Sequence, residues 1–444
     1  MIIIFMLAFL LFYLFHGSST TFVNVVMPIN TVSYNGQLNE SACRSFGILK
    51  SAGVHGVKIN VCWGICEKNP KQYNFEAYKH LADLCGQAGL KLQCFMSFHK
   101  CGESVGDDLI VPIPIWARRG NELFFRDKHG HDGDEYISIA VDNEPVLDGR
   151  TPIQVYVDFM KAFRQAMGHR IGTIIDEIQI GLGPRGELRY PGYQLDRWSY
   201  PGIGEFQAFS PRMIAMFQNA SIKAGHPEWV SPPVNAGSYN SNPDDNDNLF
   251  FKSEFGEYCT EYGRFFANWY SNLLLEHSLR ILKPAVSMFK SPSCDVAMKI
   301  TGIYWWYAHS SHAAEMTSGY VNGNGLNGTN FYDRITSLCK ELGVVLNFNC
   351  FEMSNDEVGR AFGADPESLV KQIISSAYQN DARLSSENTQ VRYDDKAVNR
   401  IIHNSCNNGG KVESFSFQKL NDQLVYNNDN LRRFKRLINS LKDC

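Results

Sequence analysis

Apolar positions along this chain fall into short runs, and most of these runs are followed by a stretch with helical spacing. Residues 21–28 (TFVNVVMP), 56–63 and 90–98 (LKLQCFMSF) are strand-length and rich in β-branched and aromatic residues. Between them, residues 42–52 and 75–88 have helical spacing, with Leu81, Ala82, Leu84 and Cys85 along one side of the second. A β-branched run over 171–180 predicts a further buried strand reaching 182, and similar runs cover 297–305 and 343–351. Helices are predicted over 153–167, 262–282 and 366–379. This strand–helix alternation argues for parallel pairing and the α/β class.

Three intervening segments, 100–134, 184–204 and 235–257, are rich in Gly, Pro, Asn and Asp. Loops of that length inside a compact domain are usually functional. In a (β/α)8 barrel they would rise from one face and wall a cleft. Length alone suggests about three domains, but a barrel with long loops absorbs 444 residues as one. The expected organisation is a leader over 1–20, a (β/α)8 TIM barrel over 21–405, and a tail over 406–444. The tail is largely polar, with a turn or helix start at 426–430 and a basic amphipathic helix from Leu431 almost to Cys444.

Composition changes this picture in a few places. Net charge is −4 and no basic block stands out, which excludes nucleic acid as an expected partner. Residues 2–15 are apolar and small residues follow at 17–19, the pattern of a secretory signal peptide. The run is short for a membrane span, so no stable membrane partner is expected unless the leader stays uncleaved. Asn39, Asn219 and Asn327 each begin an Asn-x-Ser/Thr sequon, which suits a secreted protein or one of a secretory or lysosomal compartment. Twelve cysteines permit disulfides without specifying their pairing. Cys62 and Cys66 lack companions at zinc spacing, so no metal and no cofactor is expected. Cys94 and Cys350 lie in strand-like runs and read as buried thiols.

The candidate chemistry lies in residues 181–193 (GLGPRGELRYPGY). Here a predicted strand breaks into Gly and Pro, and one carboxylate, Glu187, stands between Arg185 and Arg189 with Tyr190 and Tyr193 beyond. The end of a parallel barrel strand is where such an enzyme places an acid, and aromatic faces suit a sugar ring. Glu387 lies in residues 385–394 (SSENTQVRYD) and supplies a second carboxylate. Glycoside hydrolysis needs two, one to protonate the leaving oxygen and one to activate water or attack carbon. A random pair of glutamates would simply be solvated surface charge.

The surrounding wording separates these cases. Residues 96–99 (MSFH), Cys101-Gly102, 105–107 (VGD), 112–114 (PIP) and 181–190 (GLGPRGELRY) come first. Then follow 201–207 (PGIGEFQ), 225–229 (GHPEW), 305–307 (WWY), 312–317 (HAAEMT), Gly319-Tyr320, Glu387-Asn388 and 392–394 (RYD). In that order, over roughly residues 22–405, the chain resembles the β-amylases, glycoside hydrolase family 14. The resemblance implies an exo-acting, inverting hydrolase of α-1,4-glucans (starch, glycogen or maltodextrin) that releases β-maltose from non-reducing ends. It makes Glu187 the general acid and Glu387 the general base. It places substrate contacts at His99, Asp107, Lys299 and, loosely, Lys419. It counts with the substrate-binding residues Thr317, an inner-loop threonine that steadies the catalytic centre, and Asn388, which orients Glu387. Trp63, Trp305 and Trp306 are candidate sugar platforms, although aromatics at strand ends more often pack.

The chain also departs from that pattern. Asn60 stands where the family has a sugar-gripping aspartate, Tyr304 where it has a histidine, and Gln390 where it has a leucine. Gln179 replaces a frequent glutamate, and Glu103 replaces a glycine in the loop bearing Asp107. These substitutions keep two alternatives open: a non-catalytic glucan-binding or sensing protein on the same fold, and a different glycoside specificity. The sequence leaves the oligomeric state unknown.

Overall fold

A computed structural model describes residues 20–102, 107–253, 255–323, 330–358, 362–406 and 412–444. The leader, Glu103 and the sequon at Asn327 lie outside the described residues.

Ten strands are described: β1 Phe22–Val26, β2 Gly56–Cys62, β3 Lys91–Ser97, β4 Phe124–Arg126, β5 Asp132–Ile137, β6 Ile175–Ile180, β7 Asp295–Ile300, β8 Val345–Phe348, β9 Leu384–Glu387 and β10 Val412–Phe417. Eight of them close a barrel in the order β1-β10-β9-β8-β7-β6-β3-β2. Every pairing in it is parallel, including β1 against both β10 and β2. The molecule is therefore the (β/α)8 barrel that the strand–helix alternation predicts. The antiparallel β4–β5 hairpin is an insertion that begins within the long loop after β3.

Helices cover the barrel where helical spacing predicts them. Glu76–Gln87 turns Leu81, Ala82 and Cys85 inward. Pro152–Met167 starts on a reciprocal cap between Thr151 and Gln154, with proline in its first turn. Glu261–Phe289 runs through Pro284, further than the 262–282 expected. Pro366–Gln379 has the expected bounds.

The expected boundary at 405 is wrong. β10 lies within the segment read as a tail, yet it is a full stave of the barrel, hydrogen-bonded to β1 and β9. The helix Asn428–Lys442 packs outside, burying Phe434, Leu437, Ile438 and Leu441 against the helix Asp395–Cys406 and β1. A disulfide joins Cys406 to Cys444 and ties the ends of those two helices. Cys94 and Cys350 are buried free thiols, as expected.

The strands sort their residues by alternation. In β2, Val57, Ile59 and Val61 are fully buried apolar positions, while Lys58 and Asn60 fall on the alternate positions. Gln93 in β3, Glu177 and Gln179 in β6, Asn347 in β8 and Ser385 and Glu387 in β9 are also buried polar positions, and Lys299 in β7 is nearly so. Lys58 lies 3.8 Å from Glu177 and donates to Gln179, which also accepts from Asn347 at 3.0 Å. The barrel interior is thus a polar column, and it opens into the cleft at the C-terminal ends of the strands.

Candidate active site

The turn after β6 builds the site. Gly181 follows β6, and a Cβ there would stand 2.6 Å from the Met96 carbonyl. Gly186 has φ +75° and lies against the Phe95 ring, where a Cβ would stand 2.0 Å from the ring edge. Only glycine fits that close approach. The chain then returns alongside β7: the Leu188 amide donates to the Lys299 carbonyl at 2.8 Å, and Glu187 bridges Lys299 as a strand partner would. The glycines of this motif therefore place Glu187 beside Lys299.

Glu387 is the last residue of β9 and is only 2% exposed. The Lys299 ammonium lies 3.7 Å from Glu187 Oε1 and is ion-paired with Glu387 Oε1. The two carboxylates, 200 positions apart in sequence, thus meet across one nearly buried cation. Arg189, itself 2% exposed, donates from Nε to Glu187 Oε2 at 2.8 Å. Its guanidinium also stacks over the Tyr193 ring, 4.2 Å from the centroid. Gln418 Nε2 donates to Glu387 Oε2 at 3.5 Å.

These contacts set proton affinities. Burial pushes Glu187 up, but Arg189 and Lys299 outweigh it and hold the carboxyl below the usual glutamate range. Burial pulls Lys299 down, but Glu387 and Glu187 outweigh it and leave the ammonium more firmly protonated than usual. Deeper in the barrel, burial raises Glu177 to about 7 against the pull of Lys58. Glu352 is also raised to about 7 by burial, although its Oε1 accepts the Thr389 and Gln390 amides at 2.9 and 2.6 Å.

Two pockets flank the carboxylates. One is lined by Asn60, His99, Asp107, Lys299, Glu387 and Lys419. In it Lys419 donates to Asp107 at 2.6 Å, and the Ser97 hydroxyl donates to Asn60 Oδ1 at 3.1 Å. The other is lined by Glu187, Tyr193, Trp198, Tyr200, Tyr304, Trp305 and Gln390. Nine of the eleven predicted site residues therefore converge on one cleft.

Two do not reach it. Thr317 is fully buried, its hydroxyl donating to Ile203 O at 2.7 Å, so it steadies an inner loop and is not open to a sugar. Asn388 is also buried. Its Nδ2 donates to Gln390 O and Gln418 O, both at 2.7 Å, and its Oδ1 accepts the Gln418 amide at 2.7 Å. With these backbone bonds made, it does not touch the Glu387 carboxylate but pins Gln418, which does. Trp63 is no sugar platform either: it is fully buried, with Phe98, Trp116 and Tyr156 around it. Trp305 lines the cleft, while Trp306 donates to Pro201 O from a half-buried position.

Sequence reading did not assign Arg189, Gln418 and Glu352 to the site. Arg189 carried a usable signal, a cation two residues from the candidate acid. Gln418 and Glu352 carried none, because only strand order brings β10 and the loop after β8 beside β9.

The chain is similar to known proteins over almost its whole length. The model of glycosyl hydrolase family 14 matches residues 24–443. The chain is 42% identical to a β-amylase of Glycine max over 94% of its own length and 86% of the relative's. It is 39% identical to the chloroplastic β-amylase 1 of Arabidopsis thaliana, over 94% of this chain and 75% of that one. Among solved structures, the catalytic domain of a β-amylase from Paenibacillus polymyxa aligns with TM-score 0.77 at 27% identity, covering 96% of this chain and 99% of that one. The chain belongs to glycosyl hydrolase family 14.

Proposed function

We propose that the chain is a β-amylase, an exo-hydrolase of α-1,4-glucans that releases maltose from non-reducing ends, with Glu187 as acid and Glu387 as base. Family membership and identity near 40% over 94% of the chain support the reaction class. The observation that carries the residue roles is the meeting of both carboxylates on Lys299 between two pockets.

The terminal two glucose units occupy the pocket of Asn60, His99 and Asp107, and the leaving chain lies along Tyr304 and Trp305. Glu387 takes a proton from water as its oxygen attacks the anomeric carbon. Glu187 gives its proton to the departing glycosidic oxygen, and the product sugar is inverted. In the free protein Arg189 and Lys299 keep Glu187 ionised at neutral pH. A sugar that takes up the Lys299 donors removes part of that field, and burial then favours the proton. Turnover should therefore fall on the alkaline side, as pH rises through the Glu187 pKa.

Chromatography of early products from maltohexaose tests this reading. Maltose and maltotetraose are expected; early glucose or maltotriose would contradict two-unit release. Binding without products would favour the non-catalytic alternative that Asn60, Tyr304 and Gln390 motivate.

The compartment reading rests on other observations. The apolar leader, the exposed sequon asparagines Asn39 and Asn219, and the Cys406–Cys444 disulfide support a secretory route. The ten free cysteines among the described residues lend it no support. Intact-mass measurement on protein from its native host should show a mature start near residues 18–22 and at least one glycan. A full-length, unglycosylated chain would sink the idea.

A further inference from the structure

Among the described residues, Arg185 alone lines both pockets. It stands at their junction, two residues before the candidate acid, where a glucan chain must pass from one pocket to the other. Its backbone is left-handed, φ 53° and ψ 19°, a conformation that costs any residue but glycine. Pro184 and Gly186 bracket it, so the turn carries a strained long side chain where a glycine would relax.

The guanidinium is half-buried and makes no hydrogen bond or ion pair with the described side chains or backbone. Glu187 is near enough to feel its charge, yet the Glu187 oxygens are held by Arg189 and Lys299. Arg185 is thus a planar fork of five donors on a fixed turn and without an acceptor among the described residues. The substrate class is uncharged and rich in hydroxyl oxygens, the acceptors such a fork lacks.

We infer that Arg185 is a specificity-determining residue whose guanidinium donates to hydroxyls of the first glucose unit on the leaving side of the scissile bond. This rests on the proposed hydrolase reading. It has a second consequence, because the Arg185 charge helps hold the Glu187 carboxyl below its usual range. Removing the charge raises the proton affinity of the acid and carries activity to higher pH.

The variants Arg185→Gly and Arg185→Lys separate the two effects. Glycine removes fork and charge and relieves the backbone; lysine keeps the charge and loses the planar fork. KM for maltohexaose should rise about tenfold in both, the scale of a lost hydrogen bond to a charged group. The alkaline limb of kcat/KM should move to higher pH in Arg185→Gly and stay near the wild-type position in Arg185→Lys. Calorimetric Kd for maltohexaose, measured in Glu187→Gln protein so that substrate persists, should weaken by the same factor when Arg185 is also changed to Gly. Tm of Arg185→Gly should equal or exceed the wild type. Unchanged KM with an unmoved limb, tighter binding on losing the side chain, or a Tm loss of several degrees would each overturn the proposal. If the wild type releases no maltose, the hydrolase reading fails, and the calorimetric comparison still decides whether Arg185 binds glucan.

Discussion

Lys299, Glu187 and Glu387 depend on one another. A charge buried alone costs several kcal/mol, and all three are nearly out of solvent. Together with Arg189 they form two carboxylates and two cations, a set that balances in the absence of substrate. Changing Glu187 to Gln keeps the shape of the acid and removes its proton. Turnover of maltohexaose should fall by at least ~10²-fold, the usual contribution of a general acid, while calorimetric affinity changes little. Retention of a tenth of wild-type kcat would remove Glu187 from that role. At this scale the sequence was informative about chemistry and silent about partners. Glu187 and Glu387 were legible in their motifs, as were His99 and Asp107. That Asn388 acts through Gln418, and that Thr317 faces inward, depends on which loops the barrel brings together.

Among elements, strands were legible where their buried face is apolar. β2 and β3 each carry an unbroken apolar face and β6 carries Ile178 and Ile180 on one, and they lie where the runs predicted. β9 is Leu-Ser-Ser-Glu and β10 is Val-Glu-Ser-Phe-Ser-Phe. Three of the four residues of β9 and three of the six of β10 are polar, with Ser385, Glu387, Ser414 and Ser416 on the alternate positions that face the polar column, so a search for apolar runs passes over them. That is why the barrel was expected to end at 405. The Cys406–Cys444 bond spans 38 residues and encloses β10, so it limits how far the last stave can stray in the unfolded chain. Chain-entropy arguments give such a bond up to about 4 kcal/mol. Cys444→Ser should lower denaturant stability by an amount of that order, and reductant should do the same to the wild type. Equal stability with and without the bond would show that it adds nothing.

The loop after β9 gives a pH dependence. Glu352 caps the Thr389 and Gln390 amides, and burial raises it from 4.5 to about 7. Between those values the folded protein holds a proton that the unfolded chain releases. The resulting stability is complete below 4.5 and is lost as pH rises through 7, on the order of 3 kcal/mol at ~1.4 kcal/mol per unit. Melting curves between pH 5 and 8 should therefore show wild-type Tm falling as pH rises. Glu352→Gln keeps an amide-accepting oxygen and should show a shallower fall, with Glu177 among the groups that supply the remainder. An identical slope in both proteins would mean that Glu352 does not titrate in this window.

The whole molecule divides its work between the two ends of the strands. Helices bury the outer faces of the barrel, while the polar column leads up to Glu187, Glu387 and their shared lysine. The fold class was legible because strand–helix alternation over this length leaves few other closed arrangements. The cleft was legible only as long loops, since no sequence pattern reports how separate loops meet. The central claim is a single displacement by water between Glu187 and Glu387. The most direct test is proton NMR of maltose freshly released from maltohexaose, read before the anomers equilibrate. The β-anomer should appear first and the α-anomer only later, by mutarotation. Maltose released as the α-anomer, or no maltose at all, would contradict the account.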